Sequence, residues 1–450
     1  MELTSSYQVK ILHYHHLFDE TVTIYQKAVA FFLRVCEQNW SEISVLKNKE
    51  RNSYLERLTI KTKLNPNPKY DFNKVAYKMP SYLRRAALAY AIGAYSSFAS
   101  NYANWLETDQ TDKPPKLVFD HNTMPTLYKG NMFLRVSDCT VRIKVYHKKD
   151  WHWVTVGLRK QDVNYINKHC LSDPEVKEQS PTLKRVGKRW KLVFPFVKTL
   201  TFPEVDIADR VVCAVDLGLN NNAVCSILTS NGTVVARTFI NLAAEKDRLY
   251  TGLNRQKKAQ QHYNKKTPIL WKHVNDQNTD ISRKTAKGIM EFAMKYQANV
   301  IVFEHLEFTG KKKGAKKQKL ALWRKQEIQK LVAHQAHKQG IRISRICAWG
   351  TSRLAFDGSG RVTRGSYQQN GKTKYNYSIC VFPNGKTYNC DLNASYNIGA
   401  RYFVRELLKS EQVIARLPLD AKDHPYGTGT TRTLSTLIKL DADLCALRCA

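Results

Sequence analysis

Three carboxylates stand where short apolar runs end. Ala214–Leu228 reads AVDLGLNNNAVCSIL and carries Asp216; Ile301–Phe308 reads IVFEHLEF and carries Glu304; Tyr388–Phe403 reads YNCDLNASYNIGARYF and carries Asp391. An ionised carboxylate in apolar surroundings costs several kcal/mol or more unless something compensates it. Any one of these is an ordinary strand-end acid, but three in such regular settings predict a point of convergence. Hard oxygen donors of this kind suit Mg²⁺ or Mn²⁺. The chemistry this predicts is that of a metal-dependent phosphodiesterase.

The surrounding patterns supply the elements that must position them. Asp216 leads a predicted hairpin: VVCAVDLG, then NNNAVCSILTS, the turn Asn231-Gly232, and TVVARTFI. An Asn-Gly pair between apolar-alternating runs is a strong short-range hairpin signal. Glu304 ends a strand preceded by an amphipathic helix over 280–296, with Ile281, Ala286, Ile289, Phe292 and Ala293 on its apolar side. A second helix, 318–338, leads through Gly340 into the strand IRISRIC. Asp391 opens a helix whose N-terminal dipole favours a carboxylate. Strands alternating with helices make this half α/β.

DLGLNN, FEHL and DLNASYNIGAR, in that order from about Val211 to Leu408, resemble the three split motifs of a RuvC-type, RNase H-like nuclease. The match is to the TnpB (OrfB-type) proteins of insertion sequences and their relatives, the compact type V CRISPR effectors. The resemblance implies an RNA-guided endonuclease that cuts double-stranded DNA beside a short flanking motif with one active site. Catalytic and metal-binding roles carry over to Asp216, Glu304 and Asp391, with Asp216 bridging two Mg²⁺ (or Mn²⁺) ions about 4 Å apart. Guide RNA and target DNA are the implied partners, and the chain is expected to act as a monomer. One departure stands out. The family places a zinc ribbon of two Cys-x-x-Cys knuckles before the last Asp, yet Thr351–Gly360 reads TSRLAFDGSG, and Cys380 and Cys390 are too far apart for a knuckle. Structural zinc takes four close N or S ligands. Val362–Asn389 is therefore read as a degenerate finger without zinc.

Charge agrees with a nucleic-acid partner: 72 Lys+Arg against 38 Asp+Glu leave a net +34. The longest apolar stretch, Ala86–Tyr95, is about half a bilayer span, and MELTSSYQVKILHYHH lacks a signal-peptide core. Ten cysteines, at 36, 139, 170, 213, 225, 347, 380, 390, 445 and 449, are scattered through 450 residues, predicting reduced thiols and a cytoplasmic protein.

The expected fold class is multidomain, α+β followed by α/β. Residues 19–106 read as helices broken by the proline-bearing loop KLNPNPKYDFNKVAYKMP. Their aromatics, Phe31, Phe32, Tyr82, Tyr90, Tyr95, Phe98, Tyr102 and Trp105, read mostly as core, and Arg84 and Arg85 as phosphate contacts. From 115 to 202 the period becomes two, in CTVRIKVYH, WVTVGLR and RWKLVFPFV, predicting a small antiparallel barrel or sandwich. The resemblance makes 1–18 and 115–205 a wedge barrel, 19–114 an inserted helical recognition lobe, 206–350 with 388–410 the nuclease, and 351–387 the finger insertion. The tail, 411–450, carries no functional signal. His13, His15 and His16 read as surface or RNA contacts. A basic helix over 246–266, with Arg255, Lys257 and Lys258, resembles the family's bridging helix; the run from Lys311, Lys312 and Lys313 to Lys317 reads as a solvated loop beside the site, with a DNA-strand contact as its functional reading. Two other classes compete. One is a nuclease-inactive RNA-guided repressor, disfavoured by the complete trio. The other is an actin-like ATPase, whose phosphate loop DLGLNN also resembles, but whose second motif finds only DGSG at Asp357–Gly360, in the wrong context.

Overall fold

The computed structural model describes residues 1–449 apart from 13–15, 109, 111–112, 121, 263–266, 306–321, 370–371 and 410–425. It forms two compact units, Glu2–Thr199 and Leu200–Ala450 with Met1.

In the first unit, β1 (Glu2–Lys10) is followed by α1 (Leu17–Gln38), α2 (Trp40–Ser44), α3 (Asn48–Thr59) and α4 (Ser81–Leu106). α1 buries Phe18, Val22, Tyr25, Val29 and Phe32, the 3.6-residue stripe of a core helix. The proline-bearing loop stays irregular except for one turn at Phe72–Lys74, capped by the Asp71 side chain. The chain then alternates: β2 (Phe133–Ser137), β3 (Thr140–His147) and β4 (Asp150–Gly157), a short helix α5 (Lys160–Ile166), and β5 (Lys177–Glu178), β6 (Thr182–Val186) and β7 (Arg189–Thr199). β7 buries Trp190, Leu192, Phe194 and Phe196 in strict alternation. β1 pairs with it along its whole length, from Glu2↔Thr199 to Lys10↔Lys191, so α1 to α4 are inserted between the first strand and the strands that follow.

Two expectations are corrected here. No closed barrel forms among the described residues; there are two separate antiparallel sheets, β1-β7-β5 with β6 also on β7, and β2-β3-β4. Only isolated bridges such as Thr126↔Thr182 supplement them, and a barrel needs a continuous ladder. The sheets instead share an apolar core, with Phe133 against Phe194 at 5.8 Å and Phe18 of α1 against Trp190 at 5.5 Å. Of the eight aromatics read as core, only Phe32 is fully enclosed. Tyr95, Phe98, Tyr102 and Trp105 stack on one another along the half-exposed end of α4, with centroids 5.5–5.9 Å apart.

The second unit is built on a five-stranded sheet. β8 (Val212–Asp216), β9 (Ala223–Leu228) and β10 (Val234–Ile240) form an antiparallel meander, turning at Asn231-Gly232 where Gly232 takes φ +84°. α6 (Ala243–His262) and α7 (Pro268–Lys295) lead to β11 (Val300–His305), and α8 (Lys325–Lys338) to β12 (Arg342–Cys347). The order is β10-β9-β8-β11-β12, with β11 parallel to β8 and β12 parallel to β11. A smaller sheet, β13 (Thr363–Gln369), β14 (Lys372–Val381) and β15 (Thr387–Asn389), precedes α9 (Cys390–Leu407) and α10 (Leu434–Cys449). Side chains alternate along β8: Val212 and Ala214 face α9 and α10, while Cys213 and Val215 face α7 and α8. α7 starts twelve residues before the predicted 280, at a proline, which the first helical turn accepts. The tail contributes α10, whose Leu437, Leu440 and Leu444 join the α9 core. No helix among the described residues is long and apolar enough to cross a membrane.

Candidate active site

The ladder between β8 and β11 sets the site. Its last pair is Val215↔Phe303, so Asp216 and Glu304 are the next residue on each parallel strand and share one face. That is the face of Ala214 and Val302, on which α9 lies. α9 begins at the site because Asn389 caps it, its side chain accepting from the Asp391 and Leu392 amides, both at 3.0 Å. Asp391 thus sits in the first turn, where the helix dipole favours an anion. Asn221, from the loop after β8, donates to Asp391 Oδ2 at 2.9 Å. That loop folds tightly at Gly218, where a Cβ would meet the Asn221 carbonyl oxygen at 2.9 Å.

Glu304 is buried, at 9 % exposure, and Asp216 and Asp391 are half-buried. The Thr351 hydroxyl donates to Glu304 Oε1, and Gln329 Nε2 donates to the Glu304 carbonyl at 3.0 Å. Burial pushes the Asp216 carboxyl well above its ordinary range, and the charges of Glu304 and Asp391 push it further; Arg364 opposes them. Burial also raises Glu304, against the pull of Thr351, Arg401 and Arg364. The pocket is therefore short of positive charge. That uncompensated set of hard oxygen donors fits a divalent cation in its chemistry. It is not a preformed cage: among the described residues no three His, Cys, Asp or Glu side chains are close enough to grip one ion.

Several of these partners escaped the sequence reading. Arg364 lies on β13, in the segment read only as a degenerate finger. Thr351 lies in the stretch noticed only for its missing cysteines. Asn393, Asn397 and Arg401 had a signal: they recur every four residues along α9.

The other predicted residues are dispersed. Arg84 and Arg85 both pair with Glu56, at 3.6 and 3.1 Å. Arg255, Lys257 and Lys258 are exposed on α6. Lys311, Lys312 and Lys313 lie outside the described residues, as do His13 and His15; His16 precedes α1 with its ring 6.3 Å from that of His147. Cys380 and Cys390 are fully buried with Ala355 and Phe382, and the hydrogen bond between their thiols, with burial, holds Cys380 protonated. Asp357 of DGSG accepts from Ser359 within its own turn and from Asn384 in the connection between β14 and β15.

In its architecture the chain is a mixed α/β multidomain protein resembling Cas12 effectors. The cryo-EM structure of a Cas12f1–sgRNA–target DNA complex matches 85% of this chain and 81% of that one, with TM-score 0.51 and 15% identity. The mini-RNA-guided endonuclease CRISPR-Cas_phi3 matches over 88% and 92%, with TM-score 0.51 and 8% identity. At such identities the likeness is one of fold. Sequence gives the narrower placement. Residues 5–147 match the model of the Aq_aa04 family. The curated relative, uncharacterized protein aq_aa04 of Aquifex aeolicus (strain VF5), is 30% identical over 154 residues, 31% of this chain and 83% of its own length. This chain belongs to the Aq_aa04 family.

Proposed function

We propose that this protein is an RNA-guided DNA endonuclease whose single RuvC-like, RNase H-like active site is formed by Asp216, Glu304 and Asp391. One observation carries the reading: the ends of β8 and β11 and the start of α9 bring three carboxylates to one face of the sheet, near enough for the charges of Glu304 and Asp391 to act on Asp216. The strand order supports it, since β11 and β12 extend an antiparallel meander in parallel, the arrangement an RNase H-like core uses. The likeness to effectors solved with guide RNA and target DNA, and a net charge of +34, support the nucleic-acid partners.

Asp216, Glu304 and Asp391 would hold Mg²⁺ or Mn²⁺. When bound, such ions supply an activated water and stabilise the leaving 3′-oxygen. The chain's own groups prepare for this. Asn221 and the helix N-terminus orient Asp391, Thr351 fixes one oxygen of Glu304, and Arg364 brings positive charge to Asp216 and Glu304. Zinc has no part in the proposal, because Cys380 and Cys390 bring only two sulfur donors. Base pairing with the guide would choose the sequence, and the protein would read a short flanking motif.

The test is cleavage of duplex DNA by the protein purified with its RNA. Asp216→Ala, Glu304→Ala and Asp391→Ala are each expected to abolish cleavage while guided binding persists, and a changed guide is expected to move the cut. Full cleavage by Asp216→Ala in Mg²⁺ would overturn the site. Guided binding by the unaltered chain without cleavage would replace the enzyme by an RNA-guided repressor.

A further inference from the structure

α9 packs on the sheet with an apolar surface, yet buries three polar side chains one turn apart: Asn393 and Asn397 at 0 % exposure and Arg401 at 3 %. Buried amide and guanidinium groups are costly unless each polar atom is paired. Here the partners lie in one segment, 347–356, which follows β12. Asn393 donates to the Leu354 carbonyl at 2.8 Å and accepts from the Phe356 amide at 2.8 Å. Asn397 donates to the carbonyls of Thr351 and Leu354, both at 2.9 Å. Arg401 donates through Nη1 to the carbonyls of Cys347 and Trp349, at 2.9 and 2.7 Å.

The same groups also grip the C-terminal segment. Arg401 Nη2 donates to the Thr430 carbonyl at 2.7 Å and Nε to the Arg432 carbonyl at 3.0 Å. Asn397 accepts from the Leu434 amide at 3.2 Å. One guanidinium therefore closes on four carbonyls from two separate stretches of chain, using its fixed fork.

At the centre of the gripped segment is Thr351, 2 % exposed, whose hydroxyl meets Glu304 Oε1. The Ala348 carbonyl, at 3.1 Å, is the other oxygen near that proton, and the carboxylate is the stronger acceptor. Occupying Oε1 holds the carboxylate in one orientation.

We propose that Asn393, Asn397 and Arg401, acting through Thr351, are positioning residues that set Glu304 relative to Asp391. The helix that begins with one metal-binding carboxylate thus holds the loop that orients another, and the C-terminal segment is the outer part of the same bracket. This rests on the trio being a cation site. Groups that orient a ligating carboxylate typically change metal affinity 10–100-fold when removed, without touching the ion.

The experiment uses the full chain with its RNA and Mn²⁺ alone as the probe, titrated by calorimetry in the absence of DNA, beside the Mg²⁺ requirement for cleavage. Thr351→Val, which is isosteric, is expected to weaken Mn²⁺ about tenfold and raise the Mg²⁺ requirement in parallel. Its guided DNA binding should stay near that of the unaltered chain, and Thr351→Ser should restore both metal values. Arg401→Lys, which keeps the charge and loses the fork, gives an independent reading that survives any failure of the valine variant to fold. It is expected to speed hydrogen exchange in 347–356 and 428–434 together and to weaken Mn²⁺. Unchanged Mn²⁺ affinity in Thr351→Val or in Arg401→Lys would overturn the bracket while leaving the nuclease reading intact. If the unaltered chain takes up no Mn²⁺, both fall together, and the result is visible before any variant is made.

Discussion

Asp216 is held in the fold against its own electrostatics. Burial and two neighbouring carboxylates favour its protonated form, so its pKa is raised in the folded chain. A group raised in this way contributes stability that is full below its unfolded pKa, about 3.9, and is lost as pH rises through the folded value. Without divalent cations the protein should therefore lose stability as pH rises above about 4. Asp216→Asn removes the charge and should raise the melting temperature at pH 7.5 in EDTA, while Mg²⁺ should stabilise the unaltered chain more than the variant. A lower melting temperature for Asp216→Asn in EDTA would contradict this. Asp162 carries the opposite sign. Burial pushes its carboxyl up, but Arg159 and the Lys10 amide, donating at 2.9 Å, pull it below its ordinary range. Its contribution should fade as pH falls through that lowered value, so Asp162→Asn should cost stability at pH 7 and progressively less as pH falls below about 4. The three acids were legible because each interrupts an apolar run. Thr351 and Arg364 were not, because a hydroxyl or a guanidinium 47 or 60 positions from its partner in sequence leaves no local pattern.

At the scale of elements, the approach of α9 to the sheet decides where Asp391 sits. Gly399 allows that approach: a Cβ there would lie 2.7 Å from Leu228 Cδ1 and 3.2 Å from Ala214 Cβ. The leucine tip can rotate away, but the Ala214 methyl cannot. Gly399→Ala is expected to cost about 1–3 kcal/mol by overpacking, and to reduce cleavage because α9 carries Asp391. Adding Leu228→Ala should recover part of the stability, a coupling that a double-mutant cycle measures. Independent, additive effects would show that the contact does not set the helix. The hairpin of β9 and β10, the strands β11 and β12 and the start of α9 could all be read from periodicity and caps. The barrel could not. Alternation in β7 states that one face is buried, but not which edges pair, and here β1, β5 and β6 all choose β7. α10 escaped because its apolar stripe is thin and its partners, Tyr396 to Leu407, lie elsewhere in the chain.

For the whole molecule the governing quantity is charge. A net +34 is self-repelling until a polyanion neutralises it, and each phosphate contact releases counterions. RNA affinity should therefore fall linearly with the logarithm of salt concentration, and the slope counts the cations in contact. The structure divides the predicted cations into two kinds. Arg255, Lys257 and Lys258 are exposed on α6, whereas Arg84 and Arg85 already face Glu56. Replacing the α6 trio by Gln should lower the magnitude of the salt slope by about 2–3, at roughly 0.7–0.9 per phosphate contact. Replacing Arg84 and Arg85 by Gln should lower it by less than about 1, because Glu56 already competes for them. Filter binding or anisotropy across a salt series gives both slopes on the same RNA. Equal slopes for the two variants would mean that the ion pairs on α4 open to the nucleic acid, and that the basic face of α6 holds no more of it than the helical segment does.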